Sequence, residues 1–242
     1  LGPVSRSAAA TRNVAAGDDL QLALETAQPG DEIVLASGAT FSGNFVLPVK
    51  SGDQVIVVRT GSAGVSLPAN GVRTTPDYAG VLAKIRSSNT SPALTAAPGA
   101  HHWRLENLEF QANRDGVGDI IVLGGSQTQT SLAEMPHDIV LDRLYIHGDT
   151  TLGQKRGVAL NSGYTEIRNS YISEIKSSEQ DSQAIGGWNG RGPFVIENNY
   201  LEASGENVLF GGADPSITGL VPSDISIRRN TFSKPLVWRS QR

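Results

Sequence analysis

Lys155 and Arg156 stand side by side in the run GQKRG. A sugar uronate carries a C5 proton next to its C6 carboxylate. Taking that proton requires the carboxylate to be neutralised, which a guanidinium or a bound Ca²⁺ does well. Lysine or arginine can then act as the base where a neighbouring cation lowers its pKa. The same pair can also be two solvated turn residues. Three carboxylates follow, Asp181, Glu206 and Asp214. Brought together, they can share Ca²⁺, which takes roughly six to eight oxygens; Asp181 and Glu206 are the expected ligands. They can equally serve as the acid and base of a glycoside hydrolase, whose carboxyls stand roughly 5–9 Å apart. Asp214, in GGADP, also suits a turn, since Asp before Pro caps one. Trp188, in GGWNGRGP, and Trp238 can each offer a ring to a sugar or pack inside the protein. His147 can pair with Asp149 as a base.

Other chemistries are excluded. The chain has no cysteine, so disulfides, thiolate zinc, iron–sulfur clusters and a cysteine nucleophile are ruled out. There is no nucleophile elbow, P-loop, dinucleotide fingerprint or HExxH pattern. Twenty Lys and Arg against 24 Asp and Glu give a net charge of −4. That balance excludes a nucleic-acid binder acting by charge. No run approaches the ~18 apolar residues of a membrane span, so neither nucleic acid nor membrane is an expected partner. Glycine reaches 27 of 242 residues, which suits a turn-rich β protein. The opening LGPVSRSAAATRN lacks the apolar core of a signal peptide. Residues 1–16 are expected to be loosely ordered, and 17–242 to form a single domain.

The elements that must position these side chains are repeats. Five six-residue segments align without gaps, starting at Leu105, Leu141, Ile167, Ile196 and Ile227. Each begins with Leu or Ile, has Asn or Arg third, and ends on a large apolar residue. They recur every 26 to 36 residues. Between them lie second apolar runs at 120–125, 157–162, 183–188 and 207–212, with 235–238 expected to complete the set. Such units bury their inner face only by stacking on their neighbours. Stacking places the first positions in one apolar ladder and the sixth in another. Asn at position three or four suits a sharp bend, because it tolerates left-handed dihedrals. Ahead of the repeats, Leu20, Ala23, Leu24 and Ala27 line one face of a helix over 18–27. Asp18 is its expected N-cap, with Gln21 three residues on. The helix is expected to close the open end of the stack. The irregular stretch between the strands at 55–60 and 83–88 is expected to be long turns rather than an overhanging lobe.

The opening DLQLALETAQPGDEIVLASGATFSGNFVL and the repeats resemble the pectate-lyase-like right-handed parallel β-helix superfamily, over roughly residues 17 to 238. The resemblance implies an all-β solenoid with substrate in a groove along the strand after the Asn bend. The polar residues concentrated along that strand make Lys155, Arg156, Asp181 and Glu206 the expected catalytic residues, while no complete catalytic-arginine or calcium-site motif of the pectate lyases is matched. Gln183, Trp188, Asn189, Asn207, Asp214 and Arg239 are then expected to bind substrate. The resemblance further implies a secreted or periplasmic bacterial protein acting on an acidic polysaccharide or oligosaccharide, as a lyase. A hydrolase and a non-catalytic glycan-binding or structural β-helix stay open, because the superfamily hosts all three. The last repeat is as apolar as the interior ones and no capping segment follows it. A longer parent protein, or a homodimer through the C-terminal end, is therefore expected.

Overall fold

The computed structural model describes residues 9–240. Its backbone winds through three parallel sheets, and successive coils add one strand to each. The first sheet has eight strands, from Thr11–Val14 to Ile225–Arg228. The second has seven, from Thr40–Ser42 to Thr231–Ser233. The third has six, from Phe45–Leu47 to Glu206–Phe210. This is a right-handed parallel β-helix. Among the described residues, no helix is long and apolar enough to cross a membrane.

The repeats stack in the expected register. Leu105, Leu141, Ile167, Ile196 and Ile227 pair in sequence along the first sheet, and Ile33 and Val58 extend the ladder. Phe110, Ile146, Ile172, Leu201 and Phe232 do the same in the second. The side chains before the last coil are fully buried. The bend between these two sheets falls on position three. Asn107, Arg143, Asn169, Asn198 and Arg229 all take φ between 50° and 56°. Position four then stitches coils together: Asn199 Oδ1 accepts from Ser170 N, and Asn230 Oδ1 from Asn199 N.

The helix runs Leu20–Thr26, with Leu20 and Leu24 buried. Its N-cap is Asp19 rather than Asp18: Asp19 Oδ1 accepts from Leu22 N, while Asp18 accepts from Ala15 N. Gln21 works at a sheet edge instead of in a capping box. Its amide donates to Val46 O and accepts from Val46 N, pairing with the end strand of the third sheet as another strand would.

Three further expectations change. Residues 11–14 of the segment expected to be loose form a strand paired with Glu32–Leu35, and residues 1–8 lie outside the described part. Residues 235–238 are not a strand, because Leu236–Ser240 is a short 3₁₀ turn. The stretch after Thr60 is a strap laid along the bend between the first two sheets. Thr74 N donates to Asn169 O, and Arg73 donates to Asn198 O, Thr231 Oγ1 and Arg229 O. It supplies donors to carbonyls that the left-handed bends turn outward. Replacing Arg73 with alanine should lower local stability of the last coils by about 1–2 kcal/mol. Amide exchange should quicken at 225–233 and stay unchanged at 101–147.

Candidate functional site

The third sheet carries a polar row at the start of its strands. Asp119, Arg156, Gln183 and Glu206 are register neighbours on four successive coils. They form one chain of hydrogen bonds. Arg156 Nη1 donates to Asp119 Oδ1 at 2.9 Å. Its Nε and Nη2 donate to Gln183 Oε1 at 3.0 and 2.6 Å. Gln183 Nε2 donates to Glu206 Oε2 at 3.0 Å. Two residues further along the strands, Ile121, Val158 and Ile185 enter the core and fix the register of the row.

Gly186 decides where the guanidinium lies. A Cβ on Gly186 would stand 3.1 Å from Arg156 Nε and 3.2 Å from Gln183 Cβ. Arg156 therefore occupies the space that the glycine leaves. The Trp188 ring centroid lies 5.7 Å from its Cζ, within range of a cation–π contact. Three of the five guanidinium N–H groups are committed to Asp119 and Gln183, which leaves two for a ligand. Burial raises the pKa of Asp119, and the charges of Arg156 and Lys155 oppose that rise. Lys155 is half-buried, and its ammonium makes no side-chain hydrogen bond.

The row unites Arg156, Gln183 and Glu206, and Trp188 joins it through Arg156. Asp181, Asp214 and Arg239 are exposed and make no side-chain hydrogen bond or ion pair among the described residues. Asn189 is a structural bracket. It is fully buried, and its Nδ2 donates to Gly125 O and Gln129 O while its Oδ1 accepts from Ile217 N. Asn161 Oδ1 accepts from the backbone N–H of both Trp188 and Asn189. These amides hold the loop that presents Trp188, and none of Asn189's bonds is left over for a sugar. Asn207 is likewise spent on backbone, donating to Leu201 O and Ser233 O. His147 does not pair with Asp149. Its Nε2 faces Glu109 Oε1 at 3.2 Å and its Nδ1 faces Gly148 O at 2.9 Å, while Asp149 Oδ1 accepts from Thr151 N and Leu152 N. Trp238 sits on the final 3₁₀ turn beside Lys176, not over the third sheet.

Among the described residues, Asp181 and Glu206 belong to no group of three or more His, Asp or Glu side chains that could hold a metal ion. Sequence reasoning missed Asp119 and Gly186. Asp119 immediately precedes the run 120–125, as Arg156 precedes 157–162. Extending the aligned runs one residue upstream would have exposed it.

Replacing Asn189 with alanine should cost about 2–3 kcal/mol, because buried partners on several loops lose their bonds at once. Trp188 fluorescence should shift to the red as its loop loosens. An unshifted spectrum with unchanged thermal midpoint would show that Asn189 does not set the loop.

Three sheets, the left-handed bend and the helix at one end define the architecture. The fold is a right-handed parallel β-helix. No family model and no curated protein sequence matches the chain. Among solved structures it is similar to the alginate lyase from Paenibacillus sp. str. FPU-7, with TM-score 0.48 and 20% identity, over 93% of this chain and 74% of that one. Pectate lyase Pel9A gives TM-score 0.36 and 10% identity, over 95% of this chain and 62% of that one. The PL6 family alginate lyase AlyGC gives 0.29 and 13%, over 90% and 40%.

Proposed function

We propose that this β-helix acts outside the cell on an acidic polysaccharide lying across the third sheet, and cleaves it by β-elimination. The observation that carries the proposal is the fixed guanidinium of Arg156, set over Gly186 between Asp119 and Gln183, with Trp188 beside it. A uronate needs both features, a cation for its carboxylate and an aromatic face for its ring. Arg156 neutralises the carboxylate through its two remaining N–H groups. The C5 proton passes to Lys155, the neighbouring amine that carries no hydrogen bond. The electron pair left on C5 forms the new double bond as the C4–oxygen bond breaks, and the protonated Lys155 returns its proton to the leaving oxygen.

The row disfavours a carboxylate-pair hydrolase built on its own two ends. Asp119 and Glu206 stand three coils apart, about 14 Å at 4.8 Å per coil, beyond the roughly 5–9.5 Å such enzymes use. One observation favours a non-catalytic glycan binder as the second reading: Arg156 is almost wholly buried and already anchored on both sides. The test is incubation with polyuronates while following the ultraviolet absorbance of an unsaturated uronate. Rising absorbance is expected. New reducing ends without that absorbance would mean hydrolysis, and binding without either product would mean a non-catalytic binder.

A further inference from the structure

A trough runs along the corner where the second sheet turns into the third, separate from the row itself. Its larger part is a cavity of about 510 Å³, lined from three successive coils. That volume falls within the roughly 300–1,000 Å³ of small-ligand sites. Arg86, Arg114 and His147 line it, together with Gln111, Asn113 and Asp149. A second cavity of about 260 Å³ shares Leu152 with the first and carries on over the next coils to Lys176, Ser204 and Trp238. The trough thus draws its lining from six successive coils, from Arg86 to Trp238.

The walls are preformed. Gln154 is buried, and its Nε2 donates to Val117 O and Gly118 O. Asn113 Nδ2 donates to Thr90 O, and Asn113 N donates to Gln154 Oε1. The turns pack backbone to backbone: a Cβ on Gly148 would meet Glu174 O at 1.9 Å, and one on Gly153 would meet Lys176 O at 2.2 Å. Any side chain there would force the coils apart.

Two guanidinium groups, Arg86 and Arg114, face one carboxylate, Asp149, in the lining. Asp149 turns one carboxylate oxygen to its own loop backbone. Asp115 pairs with Arg114 at 3.1 Å and is not part of the lining. Both ring nitrogens of His147 already face protein oxygens, Gly148 O and Glu109 Oε1, so neither stands unpaired toward the trough. Glu109 holds it there. Burial works to raise the Glu109 carboxyl, but hydrogen bonds from His147 and Gln111 and the charge of Lys84 keep it below the usual range. At the far end the Lys176 ammonium, bound to Glu174 and Thr150 O, lies 5.4 Å from the Trp238 ring.

We infer that this trough binds, without cleaving, an extended stretch of a uronate polysaccharide. Arg86 and Arg114 take a carboxylate at one end, and Trp238 stacks on a ring at the other. The inference rests on the proposal that the substrate is an acidic polysaccharide. It adds a second binding surface, reached from the catalytic row by the same turns that end on Asp119 and Arg156. An anchor of this kind keeps a long chain bound between cleavage events and has little effect on short oligosaccharides.

The test is calorimetric titration of the whole chain with a polyuronate, its carboxyl-reduced counterpart and a sulfated neutral polymer. Lyase absorbance is followed in parallel. The double variant Arg86→Gln with Arg114→Gln alters exposed side chains and should fold normally. It is expected to bind polyuronate about tenfold more weakly, with a shallower salt dependence, and Trp238→Ala is expected to weaken binding as well. Unchanged affinity in both variants would overturn the inference, as would equal binding of the carboxyl-reduced polymer or binding of the sulfated polymer alone. Unchanged affinity with wild-type cleavage would overturn the trough and leave the lyase proposal standing. Binding that the double variant loses, with no unsaturated product from either protein, would do the reverse.

Discussion

Replacing Arg156 with glutamine is expected to abolish polyuronate cleavage and to lower stability by roughly 2–4 kcal/mol at neutral pH. The loss comes from what the guanidinium leaves behind. Asp119 keeps a mostly buried carboxylate without its cation, and removing one partner of a buried pair is strongly destabilising. The pH dependence separates this cause from simple loss of packing. Burial already raises the Asp119 carboxyl above its ordinary value of 3.8, and Arg156 opposes that rise. A carboxyl raised in the native state binds protons more readily there than in the unfolded chain. Its contribution to stability is then fully present below the unfolded pKa and is lost as pH rises through the native one. Without Arg156 the native value climbs further, so more stability is lost between acid and neutral pH. Urea midpoints for variant and wild type should differ more at pH 7 than at pH 4. A deficit that is constant with pH, or larger in acid, would show that Asp119 is not the group responsible.

Ile167→Asp is expected to prevent folding altogether, whereas the same change at Ile227 should cost less than about 1 kcal/mol. Both residues hold the first position of their repeats and belong to one ladder. Ile167 is fully buried between Leu141 and Ile196, and a carboxylate there has no partner and no water. Each coil of a solenoid is stabilised by its neighbours, so damage at a central coil uncouples both sides. Ile227 lies on the last described coil and is 43% exposed. A carboxylate at that position keeps its hydration. Far-UV circular dichroism and size-exclusion chromatography of the two variants give the comparison. Similar losses in both would mean that the ladder is not the source of stability.

The ladders were legible because they depend on residue type at fixed spacing: six positions per segment, with apolar residues at both ends. The bend was legible where Asn holds position three. It is conformationally the same where Arg143 and Arg229 hold it, which shows that the stack imposes the left-handed turn and that Asn merely suits it. The strap was not legible. Arg73 bonds to residues more than 120 positions away, and nothing in a run of Pro, Gly and Thr states that distance. Asn189 and Asn207 show the limit for the site. A polar residue beside a groove strand looks the same in sequence whether its amide faces a sugar or closes onto backbone carbonyls. Arg156 and Gln183 were legible because they start aligned strands. The trough at Arg86 and Arg114 escaped notice because turn residues carry no periodic signal.

The most direct measurement is a crystal structure with a bound oligouronate, collected on a Lys155→Ala variant to slow turnover. A sugar is expected over the third sheet, with its carboxylate on the free N–H groups of Arg156 and its ring against Trp188. Density elsewhere on the molecule with the outer face at Arg156 empty, under conditions where the wild-type protein cleaves the same polymer, would contradict that placement.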